Sequence, residues 1–337
     1  MIYIINSLRN FIMKQKFLNK KFLVDNNSFL NKKKIIISKK KSFFIIKRSP
    51  GGGFFSNLLY VLKNLEYSKN KSLIPVVDMQ NYITNYNEKK NLYGIKNVWE
   101  LYFSQVSNHK LKDVYKSSKL IFSKKNFKIK LSDYKDKRLK KIFNNYISIK
   151  PYILNKIYNF EKKNFYKKNI LGVHFRGTDQ KITPGHSLPP SIFQIYNYID
   201  KVFHKKKYDK IFLVSEQKSY VEKLKERYKS KIVHFNSFRA NKINDFNLSL
   251  RKFHRNKLGQ ESLIEAVLLS KCRGIIYSKS NINSFAFFYA KNKIIKYEIN
   301  NGLNSSNIIV AYFAWVYRVY LPSAIKYFYK FILQKFI

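Results

Sequence analysis

From Ser42 onward the chain alternates between short apolar runs and longer stretches with helical spacing. "FFIIKR" reads as a buried strand, "SPGGG" as a loop and "FFSNLLYVLKNLEYSKNK" as a helix. Along that helix Phe55, Leu58, Leu59, Leu62 and Leu65 recur at three- and four-residue steps, the signature of one apolar face. "SLIPVVDM" returns as a strand ending in Asp78. Strand, glycine loop, helix and strand predict a βαβ unit. Glycines in such a loop, Gly53 among them, allow unusual backbone angles and close approach of a ligand to the helix N-terminus, where free N–H groups attract phosphate. "SPGGGFFSN" is neither a GxGxxG fingerprint nor a Walker loop, and a plain strand-to-helix turn fits it equally.

Residues 110–165 are lysine-rich with helical spacings, and the charged stretch "NFEKKNFYKKN" marks a boundary. The alternation then restarts. "ILGVHF", "KIFLVS", "KIVHF", "GIIYS" and "KIIKYE" read as strands. Residues 191–206, "EQKSYVEKLKERY", "ESLIEAVLLSKC" and the start of "NINSFAFFYA" read as the helices between them. This pattern predicts an α/β fold with parallel sheets clothed by helices. Two such halves facing a cleft are expected, an N-terminal domain over 42–165 and a second over 166–300. A basic extension over 1–41 and an aromatic, basic tail over 301–337 flank them.

Ligands of open parallel sheets bind beyond the carboxyl ends of the strands. In the second half those ends carry His174, Arg176 and Asp179, then Ser215 and Glu216, then Ser278, Ser280 and Asn281. Alternation along a strand places His174 and Arg176 on one face. The group reads as a pocket for a charged, hydroxylated ligand. For a sugar–diphosphate donor, bond cleavage leaves negative charge on the terminal phosphate, and a metal or a positioned guanidinium must hold it. The chain contains no Asp-x-Asp pair, and no His, Asp or Glu cluster has metal-ligand spacing. Arg176, with its planar bidentate fork, is the natural acceptor of that charge. Glu265 is placed either to accept hydrogen bonds from a base or ribose or to face solvent on its helix. Plainer readings stand beside these: a structural histidine at 174, a turn cap at Asp179, solvated Glu261 and Glu265, and a small buried Cys272.

The 337 residues carry 67 Lys and Arg against 19 Asp and Glu, a formal charge of +48. Such a charge attracts anionic lipid, nucleic acid or phosphorylated ligands. The lysines are scattered, however, and a coding bias toward Lys, Asn, Ile, Phe and Tyr produces the same pattern. A specific nucleic-acid partner is therefore not expected. The single cysteine excludes an intrachain disulfide.

Near the start, Ile2, Ile5, Leu8, Phe11 and Ile12 recur at near-helical spacing before Lys14, Lys16, Lys20 and Lys21, which fits an interfacial anchor or a frayed extension. The apolar stretch Ile308–Tyr317 is shorter than the roughly 20 residues a bilayer span needs. Residues 308–321 are expected as a helix packed across a domain in preference to a peripheral membrane contact, and residues 322–337 as a peripheral contact with an anionic membrane face.

Four segments carry a family resemblance. "GVHFRGTD" resembles the His-x-Arg-x-x-Asp strand motif of the α-1,6-, α-1,2- and protein O-fucosyltransferases. "FLVSEQKSYVEKLKERY" and "GQESLIEAVLLSKCRGIIYSKSNINSFAFFYA" are similar to their second and third segments. "GGGFFSNLLYVLKNLEYSKNKSLIPVVDM" resembles the first βαβ unit of bacterial members. The four follow the family's order over about residues 44–300.

The resemblance implies a GT-B-like fold of two Rossmann-like domains, GDP-fucose as donor, inversion at the anomeric carbon, and no metal or other cofactor. By that resemblance Arg176 falls on the arginine that binds the donor diphosphate. Asp179, Glu216, Glu265, Ser278 and Ser280 fall on or beside the positions holding the guanosine end, and Asn57 on one that faces the donor. The sequence departs from the family at Gly177, where many members have a second arginine, and at Gln180, where they have lysine. Pro184 stands near the place of a glutamate proposed as base, which leaves His186 and Asp78 as candidates. The implied partners are a GDP-sugar and a glycan acceptor of a surface polysaccharide or its precursor, at the cytoplasmic face of a membrane. The alternatives are another nucleotide sugar on the same fold, or a non-catalytic basic protein that binds membrane or nucleic acid.

Overall fold

The computed structural model describes residues 42–50, 52–124, 129–177, 185–240 and 251–305, with 307, 309, 310, 313, 316 and 317. The predicted βαβ unit forms as β1 (Phe43–Ile46), α1 (Phe54–Asn70) and β2 (Ile74–Val77). A third strand, β3 (Leu120–Phe122), joins the other side of β1, giving a parallel sheet of order β2-β1-β3. The apolar run of β1 is buried on both faces, as a central parallel strand requires. Phe44 and Ile46 pack with α1, while Phe43 and Ile45 meet Val76 and Val114.

Two helices follow, α2 (Lys137–Tyr146) and α3 (Pro151–Asn164). The second sheet comprises β4 (Ile170–His174), β5 (Lys210–Val214), β6 (Ile232–Val233), β7 (Gly274–Tyr277) and β8 (Ile295–Glu298). Its helices are α4 (Ile192–Phe203), α5 (Lys218–Tyr228), α6 (His254–Leu269) and α7 (Asn281–Tyr289). All pairings are parallel and the order is β6-β5-β4-β7-β8. The chain winds outward from β4 through β5 to β6, then returns to β7 on the other side of β4. The reversal makes the β4/β7 boundary a topological switch point, the place beyond whose carboxyl ends open parallel sheets bind ligands. Both sheets are thus parallel and Rossmann-like, as the alternation predicts.

The two halves share one apolar core. Phe55 at the start of α1 stacks on Phe285 of α7, ring centroids 4.6 Å apart, and the Tyr134 hydroxyl donates to the Phe55 carbonyl at 2.7 Å. Helix α3 lies against the second sheet, with Phe160 5.6 Å from Phe212 and Lys156 donating to Gln260 at 2.8 Å. The glycine in α6 is required by close packing. A Cβ on Gly259 would stand 2.5 Å from the Tyr102 hydroxyl and 2.9 Å from the Tyr86 ring, both in the first half.

Several boundaries differ from the pattern. Helix α6 begins at His254, well before the expected Glu261, because its first turns are polar yet buried, His254 against Phe238 and Asn256 against Tyr102 and Glu88 of the first half. The described residues of the 308–317 segment, among them Ile309, Phe313 and Tyr317, are exposed, which corrects the expected packed helix. The 1–41 extension and residues 322–337 lie outside the described residues. Among the described residues no helix is long and apolar enough to cross a membrane.

Candidate functional site

The carboxyl ends of β4, β5 and β7 converge as predicted. His174 ends β4 and is 1% exposed. Its Nδ1 lies 3.3 Å from the Asn283 amide nitrogen, which also donates to the Ser278 carbonyl at 2.5 Å. Burial, and then the neighbouring Arg176 charge, lower the imidazolium pKa to about 3. His174 is therefore a neutral ring at neutral pH, and it adds no second cation beside Arg176.

Asn283 is itself fixed by Ser280 at the N-cap of α7. The Ser280 hydroxyl accepts from the Asn283 N–H at 3.4 Å, and the Asn283 carbonyl oxygen accepts from the Ser280 N–H at 3.1 Å. Ser280 thus caps a helix, which is the ordinary use of serine in that position. Asn281, the first residue of α7, and buried Ser278 lie in the same turn.

Arg176 follows β4 on the crevice side. Its Nε lies 3.5 Å from Glu216 Oε1, and the Gly177 N–H donates to that same oxygen at 3.0 Å. One carboxylate therefore fixes both the arginine and the backbone after it. Arg176 also reaches electrostatically across to the first half. Burial pushes the Tyr86 phenol up, and the Arg176 charge pulls against it. Beside Gly177 the Gln217 carboxamide occupies the room a side chain would take, 1.9 Å from a built Cβ.

Ser215 is buried, and its carbonyl accepts from Arg239. The same guanidinium forms an ion pair with Glu265 at 2.7 Å, and the Ser237 hydroxyl donates to that oxygen at 2.8 Å. Burial pushes the Glu265 carboxyl up, opposed by Arg239 and Ser237. One turn earlier, Glu261 accepts two bonds from Arg251, at 2.6 and 2.7 Å. The plain reading of solvated glutamates is corrected here. Both face inward because two arginines from the chain preceding this helix neutralise them. Glu265 supports the loop bearing Ser237 and Arg239, which packs beside the end of β5.

In the first half the polar candidates close on their own chain. Asn57 accepts from the Ser49 N–H at 2.9 Å and donates to the Gly53 carbonyl at 3.3 Å, shaping the glycine loop. Gly53 has an ordinary φ of −79° and open space at its Cβ, so the expected unusual backbone angle is not used there. Asp78 is fully buried. It accepts from the Gln80 and Asn81 N–H groups at 3.0 and 2.9 Å, from the Asn81 amide at 2.8 Å and from the Tyr115 hydroxyl at 2.5 Å. As a base it has no open acceptor direction, and its geometry is that of a turn anchor. His186 is exposed, with its carbonyl bonded by the Asn304 N–H at 2.8 Å. Asp179 lies outside the described residues. Among the described residues no group of three His, Cys, Asp or Glu side chains can hold a metal ion.

The sequence reading missed Asn283, Arg239, Arg251, Gln217 and Tyr86. Ser280 and Asn283 at capping-box spacing carried a local signal for the first.

No family model matches the chain, and no curated protein sequence matches it. Solved structures do resemble it. NodZ α-1,6-fucosyltransferase co-crystallised with GDP is 13% identical over 74% of this chain and 93% of its own, with a TM-score of 0.49. POFUT1 in complex with GDP-fucose is 10% identical over 79% of this chain and 99% of its own, with a TM-score of 0.46. A mutant of Arabidopsis thaliana FUT1 in complex with GDP is 12% identical over 87% and 79%, with a TM-score of 0.41.

Proposed function

We propose that the chain is a glycosyltransferase that moves fucose from GDP-fucose to a glycan, with inversion and without a metal. The observation that carries this reading is the Arg176–Glu216 pair at the switch point, flanked by a neutral His174. A guanidinium held there meets the charge that develops on a departing diphosphate. Preorganised donors of this kind supply about 2.7–4 kcal/mol of transition-state stabilisation. Ser215, Glu216, Glu265, Ser278, Ser280 and Asn281 shape the donor side, Asp179 joins them, and residues 42–165 form the acceptor side. The order of the four fucosyltransferase-like segments supports the donor assignment.

The acceptor is a surface polysaccharide or its precursor, met by a protein attached peripherally to the inner face of a membrane. The exposed Ile309, Phe313 and Tyr317 in a chain of charge +48 support that attachment. The protein given GDP-fucose and EDTA is expected to release GDP, and Arg176→Ala to slow the release about 100- to 1000-fold. Full activity in that variant sinks the mechanism. A panel of GDP- and UDP-sugars in one binding assay distinguishes fucose from another donor sugar.

A further inference from the structure

The carboxyl ends of β1 and β3 carry Lys47, Arg48 and Lys124, and that of β2 carries Asp78. The one carboxylate at this edge is enclosed by its own loop and by Tyr115, so it offers nothing to the cations around it. The Lys47 ammonium lies 4.6 Å from the centroid of the Tyr82 ring and 5.2 Å from that of Phe122. No ion pair among the described residues includes it.

Its backbone is equally constrained. The Lys47 N–H donates to the Ser123 hydroxyl at 2.9 Å, and that hydroxyl also accepts from Tyr60 at 3.1 Å. A lysine normally loses much side-chain freedom when it binds an anion. Here two rings and a fixed backbone have already removed part of that freedom, and such preorganisation strengthens binding.

The position suits a substrate of the first half. Ligands of parallel sheets bind beyond the carboxyl ends, and the diphosphate has Arg176 in the other half. One loop joins the two places. Tyr82 meets Lys47, Asn85 donates to the Gly52 carbonyl at 3.2 Å, and Tyr86 senses the Arg176 charge.

We propose that this edge is an acceptor subsite for a saccharide bearing an anionic group, a carboxylate or a phosphate, with Lys47 as its charge receptor and Tyr82 and Phe122 holding the ammonium in place. The inference rests on the transferase reading for its biological meaning, although anion binding is measurable without turnover.

The test is equilibrium binding of glucose, glucuronate and glucose 6-phosphate to the full chain, at about 0.15 M salt to screen diffuse attraction. One or both anionic sugars are expected to bind about tenfold more tightly than glucose, the scale of a charge-assisted hydrogen bond. The two anionic arms show which group is preferred. Lys47→Gln is expected to erase the preference, and Lys47→Arg to retain it. Lys205→Gln, beyond the amino edge of the second sheet, is expected to retain it as well. Equal binding of the three sugars, no binding of any, or an undiminished preference in Lys47→Gln overturns the subsite. A separate GDP titration tests the transferase reading: failure to bind GDP overturns that reading while the anion preference is still read on its own.

Discussion

Arg176 Nε and the Gly177 N–H converge on a single oxygen of Glu216, at 3.5 and 3.0 Å. The carboxylate orients the arginine and the peptide that follows it together. Glu216→Gln keeps an acceptor for the peptide but loses the charge. GDP affinity is expected to fall only severalfold, consistent with the roughly 0.2–1 kcal/mol of a partly exposed ion pair. Arg176→Ala is expected to lower kcat by about 100- to 1000-fold. Titration calorimetry and steady-state kinetics separate the two, and equal losses would assign Glu216 a direct role.

His174 gives the fold a pH dependence. Its folded pKa of about 3 lies below the ordinary 6.5, so the unfolded chain takes up the proton first. The stability is fully present above pH 6.5 and is lost as pH falls from there toward 3. Wild type should lose stability relative to His174→Gln across that window by up to about 1.4 kcal/mol per pH unit. Denaturant melts at several pH values check this, and a pH-independent difference would show that the ring protonates in the fold.

Among the described residues Glu265 is the carboxylate that neutralises Arg239, at 2.7 Å, and both side chains are about nine-tenths buried. Glu265→Ala leaves an uncompensated buried guanidinium and is expected to cost about 3–5 kcal/mol. Glu66→Ala, which removes a contact to a 76% exposed Arg138, should stay within about 0.5 kcal/mol. Urea midpoints of the two variants make the comparison.

Gly259→Ala forces a methyl group toward the Tyr102 and Tyr86 rings, which are walled in by the core. Overpacking of this kind costs about 1–3 kcal/mol. A lowered melting temperature with unchanged far-ultraviolet dichroism is the expected result, and full stability would mean the rings yield.

The strands and the convergence of their ends were legible because apolar runs and helical spacing are local properties. His174, Arg176, Glu216 and Ser280 could be placed from that pattern alone. The inward turn of Glu261 and Glu265 could not, since it depends on Arg239 and Arg251 being brought back onto the helix from the chain before it. Asp78 is closed off partly by its own turn at Gln80 and Asn81, and the last acceptor direction is taken by Tyr115, 37 positions away, which no local pattern reveals.

The chain has ten arginines among 67 basic residues, and Arg138, Arg176, Arg227, Arg239 and Arg251 each meet a carboxylate.

The Phe55–Phe285 stack has a mechanical consequence. Because the rings lock the root of α1 to α7, neither half can swing far without exposing interior surface to water. A ligand in the crevice would then exchange past the edge loops rather than through a swing of the two halves. Breathing at the rim, rather than a clamshell stroke, is the motion this architecture permits.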